Sequence, residues 1–140
     1  MQKLCGLIAV FSLCLIGHSA SAHHSFAAEF DYDASGAIDG EVIEVLYVNP
    51  HARYFIAVVN SDGNEEVWDT QTSSISSLSR YGWTEDIIQI GDRVRIQGNM
   101  GRDNTRKIWI REVTLEDGRV IRPVAGGVNA DEATRDGTDR

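Results

Sequence analysis

From residue 38 onward the chain is written as β-rich runs, the first of them long, separated by turn residues, with one helical interruption after the third run. Residues 38–48 include Val42, Ile43, Val45, Leu46, Tyr47 and Val48, and Asn49-Pro50 ends the run because proline has no N–H to give to a strand ladder. Residues 53–60 form a second run rich in aromatic and β-branched side chains. Ser61-Asp62-Gly63-Asn64 reads as a hairpin turn, with Gly63 where a positive φ is wanted, and leads into a third strand over 65–70. The period then changes. Ile75, Leu78 and Tyr81 stand three apart within 73–81, which predicts one short helix opened by serine and closed by Gly82. Alternation returns in Arg93-Val94-Arg95-Ile96-Gln97 and, after a polar loop over 98–106, in residues 107–115. There Trp109 is expected on the core side with Val113 and Leu115, and Asp117-Gly118 turns the chain into a last short run at 119–122.

Three strands, a helix and two strands is the order of an oligonucleotide/oligosaccharide-binding (OB) barrel. The expected fold class is therefore all-β: a small five-stranded OB-like barrel with one short helix between strands 3 and 4. Closing the sheet removes exposed strand edges. An open β-sandwich or meander, with the helix packed on one end, is the competing architecture.

The first 22 residues read as a signal peptide. Lys3 gives the positive start, residues 4–16 are an apolar run too short to span a bilayer, and Ala20-Ser21-Ala22 is a small-x-small cleavage site. Neither Cys5 nor Cys14 sits in a lipid-attachment context, so a product with no membrane association after cleavage is expected, periplasmic or secreted. The expected division is 1–22 signal peptide, 23–36 N-terminal leader, 37–123 OB-like barrel and 124–140 disordered polar tail. Processing would leave 118 of the 140 residues and remove both cysteines. Such a chain can form neither a disulfide nor a thiolate metal site, and must be held by its core alone. It also loses Lys3, which takes the formal net charge from −8 to −9. An acidic surface repels phosphate backbones and anionic lipids. Nucleic acid is accordingly not expected as a partner, while a metal ion, a small ligand or a basic protein is compatible with the charge.

Cleavage after Ala22 would give His23 a free α-amine, followed at once by His24. The amine (pKa ~7.7–8.0) and the ring Nδ1 of an N-terminal histidine form a chelate that a cation can occupy near neutral pH. A further imidazole would complete the nitrogen set that Cu(II) favours, and the remaining histidine of the processed chain is His51, in the turn Asn49-Pro50-His51. His23, His24 and His51 are thus the candidate metal ligands and copper the candidate cofactor. The bland readings are solvated histidines after a cleavage site and a His51 that caps a turn. Met100 offers a soft thioether for Cu(I), or simply fills a gap. Glu29, Asp31 and Asp33, at spacing two, are candidates to support a cation from outside its ligand set, or a solvated edge. Tyr54, Trp68 and Trp83 are candidates for a metal-free ligand-binding face, with Trp68 set beside the polar Glu66 and Thr70. Core packing is the plainer reading of each. No nucleophile elbow, phosphate loop or catalytic set emerges, so the residues give no argument for an enzyme.

The motifs His23-His24-Ser25-Phe26-Ala27-Ala28-Glu29-Phe30-Asp31, Asn49-Pro50-His51-Ala52, Gly82-Trp83-Thr84, Gly91-Asp92-Arg93-Val94 and Arg102-Asp103 resemble an uncharacterised family of small exported bacterial proteins, classed as a domain of unknown function. The resemblance runs from His23 to about Arg122, and its specific parts are the His-His-Ser start and the Asn-Pro-His turn. Ser73-Ser74-Ile75 stands where the family often has a Pro-Asn helix start, and Asn104 where glycine is common. The resemblance implies export and one domain, and no known activity. The resulting expectation is a small extracytoplasmic binding protein, with copper held at its N-terminal histidines. The alternative is a metal-free OB-type ligand- or protein-binding module.

Overall fold

The computed structural model describes residues 24–123. The expected signal peptide, His23 and the tail over 124–140 lie outside the described residues. The elements are α1 (His24–Glu29), β1 (Phe30–Leu46), β2 (Arg53–Val59), β3 (Glu65–Gln71), α2 (Ile75–Arg80), β4 (Arg93–Gly101), a tight turn at Arg102–Asn104, β5 (Lys107–Leu115) and β6 (Val120–Ile121). The strands follow the order β3-β2-β1-β4-β5-β6, and Asp69–Gln71 of β3 pairs parallel to Lys107–Trp109 of β5. That last pairing closes the ring. The fold is a small all-β, OB-like barrel whose five long strands carry a two-residue sixth, with the helix α2 between β3 and β4 as the residue spacing predicts.

Period-2 patterning explains the barrel wall. In β4, Val94 and Ile96 are buried while Arg93 and Arg95 are exposed. The core gathers Val42, Tyr54, Ile56, Leu78, Trp83 and Ile88 with inward residues of β4 and β5. Each large apolar side chain taken from water adds about 1.5–3 kcal/mol, enough together for a domain with no cross-link. Within this core the Trp83 Nε1 donates to the Tyr54 hydroxyl at 2.9 Å, and the Tyr47 hydroxyl donates to the Trp83 carbonyl at 2.8 Å. Burial pushes the Tyr54 phenol up to about 12, with the Trp83 hydrogen bond acting in the opposite direction.

Two stretches differ from the sequence reading. A turn is expected at Ala34-Ser35-Gly36, yet β1 begins at Phe30 and runs through it. A polar loop is expected over 98–106, yet β4 continues to Gly101. The two extensions pair with each other: Phe30 opposes Gly101 and Ser35 opposes Asn99, so residues 31–34 bulge from the ladder. The bulge is tied down by Asn99, whose Nδ2 donates to the carbonyls of Asp31 and Tyr32 at 3.1 and 3.2 Å. Weak β propensity in Gly98-Asn99-Met100-Gly101 hid the strand, which pairing alone decides. Asn104 has φ 56, the left-handed region that glycine enters freely and asparagine tolerates, which accounts for asparagine standing there. Gly63 has φ 83, as its turn requires.

Candidate functional site

The loop from β1 to β2 is clamped to the start of α2. The Asn49–Pro50 peptide is cis. The Asn49 Oδ1 accepts from the Ile75 N–H at 3.1 Å, capping the first turn of α2, and the Ser74 hydroxyl accepts from the Ser77 N–H at 3.4 Å. Ala52 is fully buried; its N–H donates to the Ser73 carbonyl and its carbonyl accepts from Thr72. With both neighbours fixed, the His51 ring has a defined position. It stands edge-on to Trp109, 5.1 Å between centroids at 87°.

Trp109 is not on the core side, and this corrects the sequence reading. In β5 the buried residues are Ile108, Ile110, Val113 and Leu115, so the spacing slips from two to three between Ile110 and Val113. Against β4, Glu112 opposes Gln97 but Ile110 opposes Gly98, leaving Arg111 as the extra residue of a β-bulge. A one-residue slip turns every side chain before it to the other face. Trp109 is therefore half-buried on the outside of the barrel. The bulge needs Gly98, since a Cβ there would stand 1.9 Å from the Trp109 carbonyl oxygen.

The leader covers Trp109 from outside. Phe26 of α1 lies 5.3 Å from it at 80° and Phe30 lies 5.7 Å from it at 65°, both edge-to-face geometries favoured by ring quadrupoles. Phe26 also touches Phe30 and Tyr32. Polar contacts hold the same segment: the Arg102 Nε donates to the Ala27 carbonyl at 2.6 Å, the Lys107 ammonium meets Glu29 at 2.7 Å, and Arg102 lies 3.7 Å from Asp31. Phe26 and His51 thus bear on one indole, and the leader folds back beside the Asn-Pro-His turn.

Between them lies a cleft of about 320 Å³, lined among others by Glu29, Pro50, His51, Arg53, Gln71 and Lys107. Its charges are largely paired. Arg53 grips Asp69 with two bonds, Nε to Oδ1 at 3.0 Å and Nη2 to Oδ2 at 2.5 Å, and the Gln71 amide donates to the same carboxylate at 3.2 Å. The hydrogen bond to Asp69 raises the Arg53 pKa. His51 brings a ring nitrogen to the cleft, and Glu29 brings a carboxylate already committed to Lys107. Among the described residues no three His, Cys, Asp or Glu side chains converge as a metal centre. His24 opens α1, while His23 and the side chain of His24 lie outside what is described. Asp31 contacts Arg102 and accepts from the Asp33 N–H at 3.0 Å, so it secures the bulge and does not face the cleft as a ligand.

The remaining candidates fall elsewhere. Met100 pairs with Ile108 and packs against the core, whereas its neighbour Asn99 opposes Trp109. Strand alternation therefore places the thioether on the side away from His51, filling space and not supplying a soft ligand. Tyr54 and Trp83, expected as possible stacking surfaces, are fully buried and spend their polar atoms on each other. Trp68 packs against the core on the side of the fully buried Thr70, whose hydroxyl donates to the Tyr54 carbonyl. A stacking platform needs an open ring face, which Tyr54 and Trp83 do not offer, while Trp68 remains half-buried. Reasoning from sequence missed Trp109, Arg53, Gln71 and Lys107. For Trp109 a signal existed: the 2-3-2 apolar spacing of Ile108, Ile110, Val113 and Leu115, with Gly98 opposite.

A family model described as "Family of unknown function (DUF6152)" matches residues 11–109, and the chain belongs to that family. No curated protein matches the sequence. Among solved structures, the mitochondrial single-stranded DNA binding protein of S. cerevisiae aligns at 15% identity with a TM-score of 0.45, over 59% of this chain and 93% of that one.

Proposed function

We propose that this member of a family of unknown function is a small exported binding protein, processed after Ala22, that holds a copper ion beside the Asn49-Pro50-His51 turn. His23, His24 and His51 are the ligands in this reading. One observation supports it above the others: Phe26 and His51 pack on the same Trp109 ring, within 5.3 Å of its centroid, so the leader's start and the only distant imidazole share one neighbourhood. His24 precedes Phe26 by two residues, about 3 Å of helical rise. Copper(II) accepts imidazole and amine nitrogens in tetragonal geometry, and an acidic chain draws cations toward it. The same charge disfavours a phosphate backbone as ligand.

The test is to add Cu(II) to protein beginning at His23. A visible ligand-field band, nitrogen hyperfine structure in EPR and quenching of tryptophan emission that disappears in Trp109→Phe are expected. His23→Ala and His51→Ala should each weaken binding at least roughly tenfold, the scale on which even outer-shell partners act. Identical spectra and affinity in the wild type and both alanine variants would refute the site.

A further inference from the structure

A second concavity, larger than the His51 cleft, lies elsewhere: a groove of about 630 Å³ across the outer face of β1, β2, β4 and β5, reaching Glu65 at the start of β3. Ile43, Ala57 and Val59 line it, and Ile43 and Val59 remain 41% and 69% exposed. Ala57 also opposes Val67 of β3, which is 48% exposed, so the apolar strip continues onto the next strand. Single exposed apolar residues are ordinary, but a contiguous strip in a groove is the usual mark of a binding surface.

Its rim is acidic. Asp39, Glu41, Glu65 and Glu116 line the groove against Arg93 and Arg95. Asp39 and Arg95 neutralise each other at 2.6 Å, which leaves three carboxylates facing one guanidinium. No aromatic ring lines the groove for a sugar to stack on, and the carboxylates repel nucleic acid and anionic lipid. A second copy of this acidic chain would bring like charges together.

We infer that this groove docks an extended segment of a partner protein in which lysine or arginine alternates with small aliphatic residues. The aliphatic side chains lie on Ile43, Ala57 and Val59, and the cations reach Glu41, Glu65 and Glu116. Cations and aliphatic side chains must be interleaved because the groove interleaves its own acidic and apolar residues: Glu41 stands opposite Ala57, and Glu65 opposite Val59. This surface uses none of the residues of the His51 cleft.

The experiment titrates ¹⁵N-labelled protein with three synthetic hexapeptides, Lys-Val-Lys-Val-Lys-Val, Lys-Ser-Lys-Ser-Lys-Ser and Glu-Val-Glu-Val-Glu-Val, and follows backbone amides. The first peptide should shift residues 39–43, 57–59, 65, 93–95 and 114–116 and leave residues 26–32 and 49–53 unmoved. The serine peptide should bind about tenfold more weakly, the effect of removing buried methyl groups, and the acidic peptide should not bind. Val59→Ser should weaken the first peptide severalfold, and Glu41→Lys with Glu65→Lys at least about tenfold. These side chains are exposed, and retained amide dispersion will confirm folding. Shifts scattered over the surface, equal binding of the lysine-valine and lysine-serine peptides, or affinity unchanged by the charge reversals would each overturn the assignment. So would a concentration-dependent dimer abolished by Val59→Ser, which would give the face to a second copy.

Discussion

Replacing Trp109 by alanine separates its two readings, core residue or external platform for the leader. The indole is half-buried and touches Phe26, Phe30 and His51 by ring edges. Truncating a fully buried tryptophan costs roughly 3–5 kcal/mol. Half of that loss, the ring's own contacts included, brings the expected cost to about 1.5–2.5 kcal/mol. The loss should be uneven. The contacts from Arg102 to Ala27 and from Lys107 to Glu29 are exposed and worth little alone, so residues 24–32 should detach while the barrel persists. Hydrogen exchange read residue by residue, alongside urea unfolding, measures both parts. Protection of 26–32 should collapse toward that of a free segment, whereas Ile56, Ile96 and Ile110 should lose only the global decrement. Phe26→Ala should reproduce the local loss at a smaller global cost. If Trp109→Ala leaves the leader amides as protected as the rest, or destabilises every amide equally by 4 kcal/mol or more, then the indole belongs to the core and the leader is held by something else.

Two further outcomes follow from the fold. Gly98→Ala should destabilise by roughly 2 kcal/mol or more, because a Cβ there meets the Trp109 carbonyl oxygen at 1.9 Å; Gly63→Ala, in open space with φ 83, should cost about 1 kcal/mol, and chemical denaturation of the two variants gives the comparison. The second concerns Tyr54, whose phenol is pushed from 10.0 to about 12 by burial. The native state holds this proton more tightly than the unfolded chain does, so its contribution is complete below pH 10 and fades as pH rises toward about 12, by up to ~2–3 kcal/mol. Urea midpoints across that window should fall in the wild type, and the fall should be shallower in Tyr54→Phe, which also loses the Trp83 hydrogen bond.

Much of the barrel is legible in the chain because period-2 alternation is a local property. Val94 and Ile96 against Arg93 and Arg95 mark a strand with one wet face whatever lies beside it, and Ile75, Leu78 and Gly82 mark a helix and its stop. The position of that helix, between the third and fourth strands, points to the barrel plan, and the pairing of β3 with β5 closes it. Pairing, by contrast, acts between residues far apart in sequence. Residues 33–36 and 98–101 are weak strand formers that become strand by meeting across the ladder, and no local preference announces that meeting.

The site divides in the same way. The sequence by itself determined that three of the four histidines fall in two short motifs, that a proline-stiffened turn carries one of them, and that the chain is strongly acidic. Only the tertiary structure decided what surrounds His51. One extra residue at Arg111 reverses the side-chain phase of the strand before it and carries Trp109 from the expected core to the outer face, and the leader then folds back to cover it. A bulge is settled by the register between two strands, a relation that a single strand's alternation does not contain. For the same reason Tyr54 and Trp83, plausible on a surface when read one strand at a time, belong to the interior once the ring is closed, and Trp68 packs half-buried against that interior.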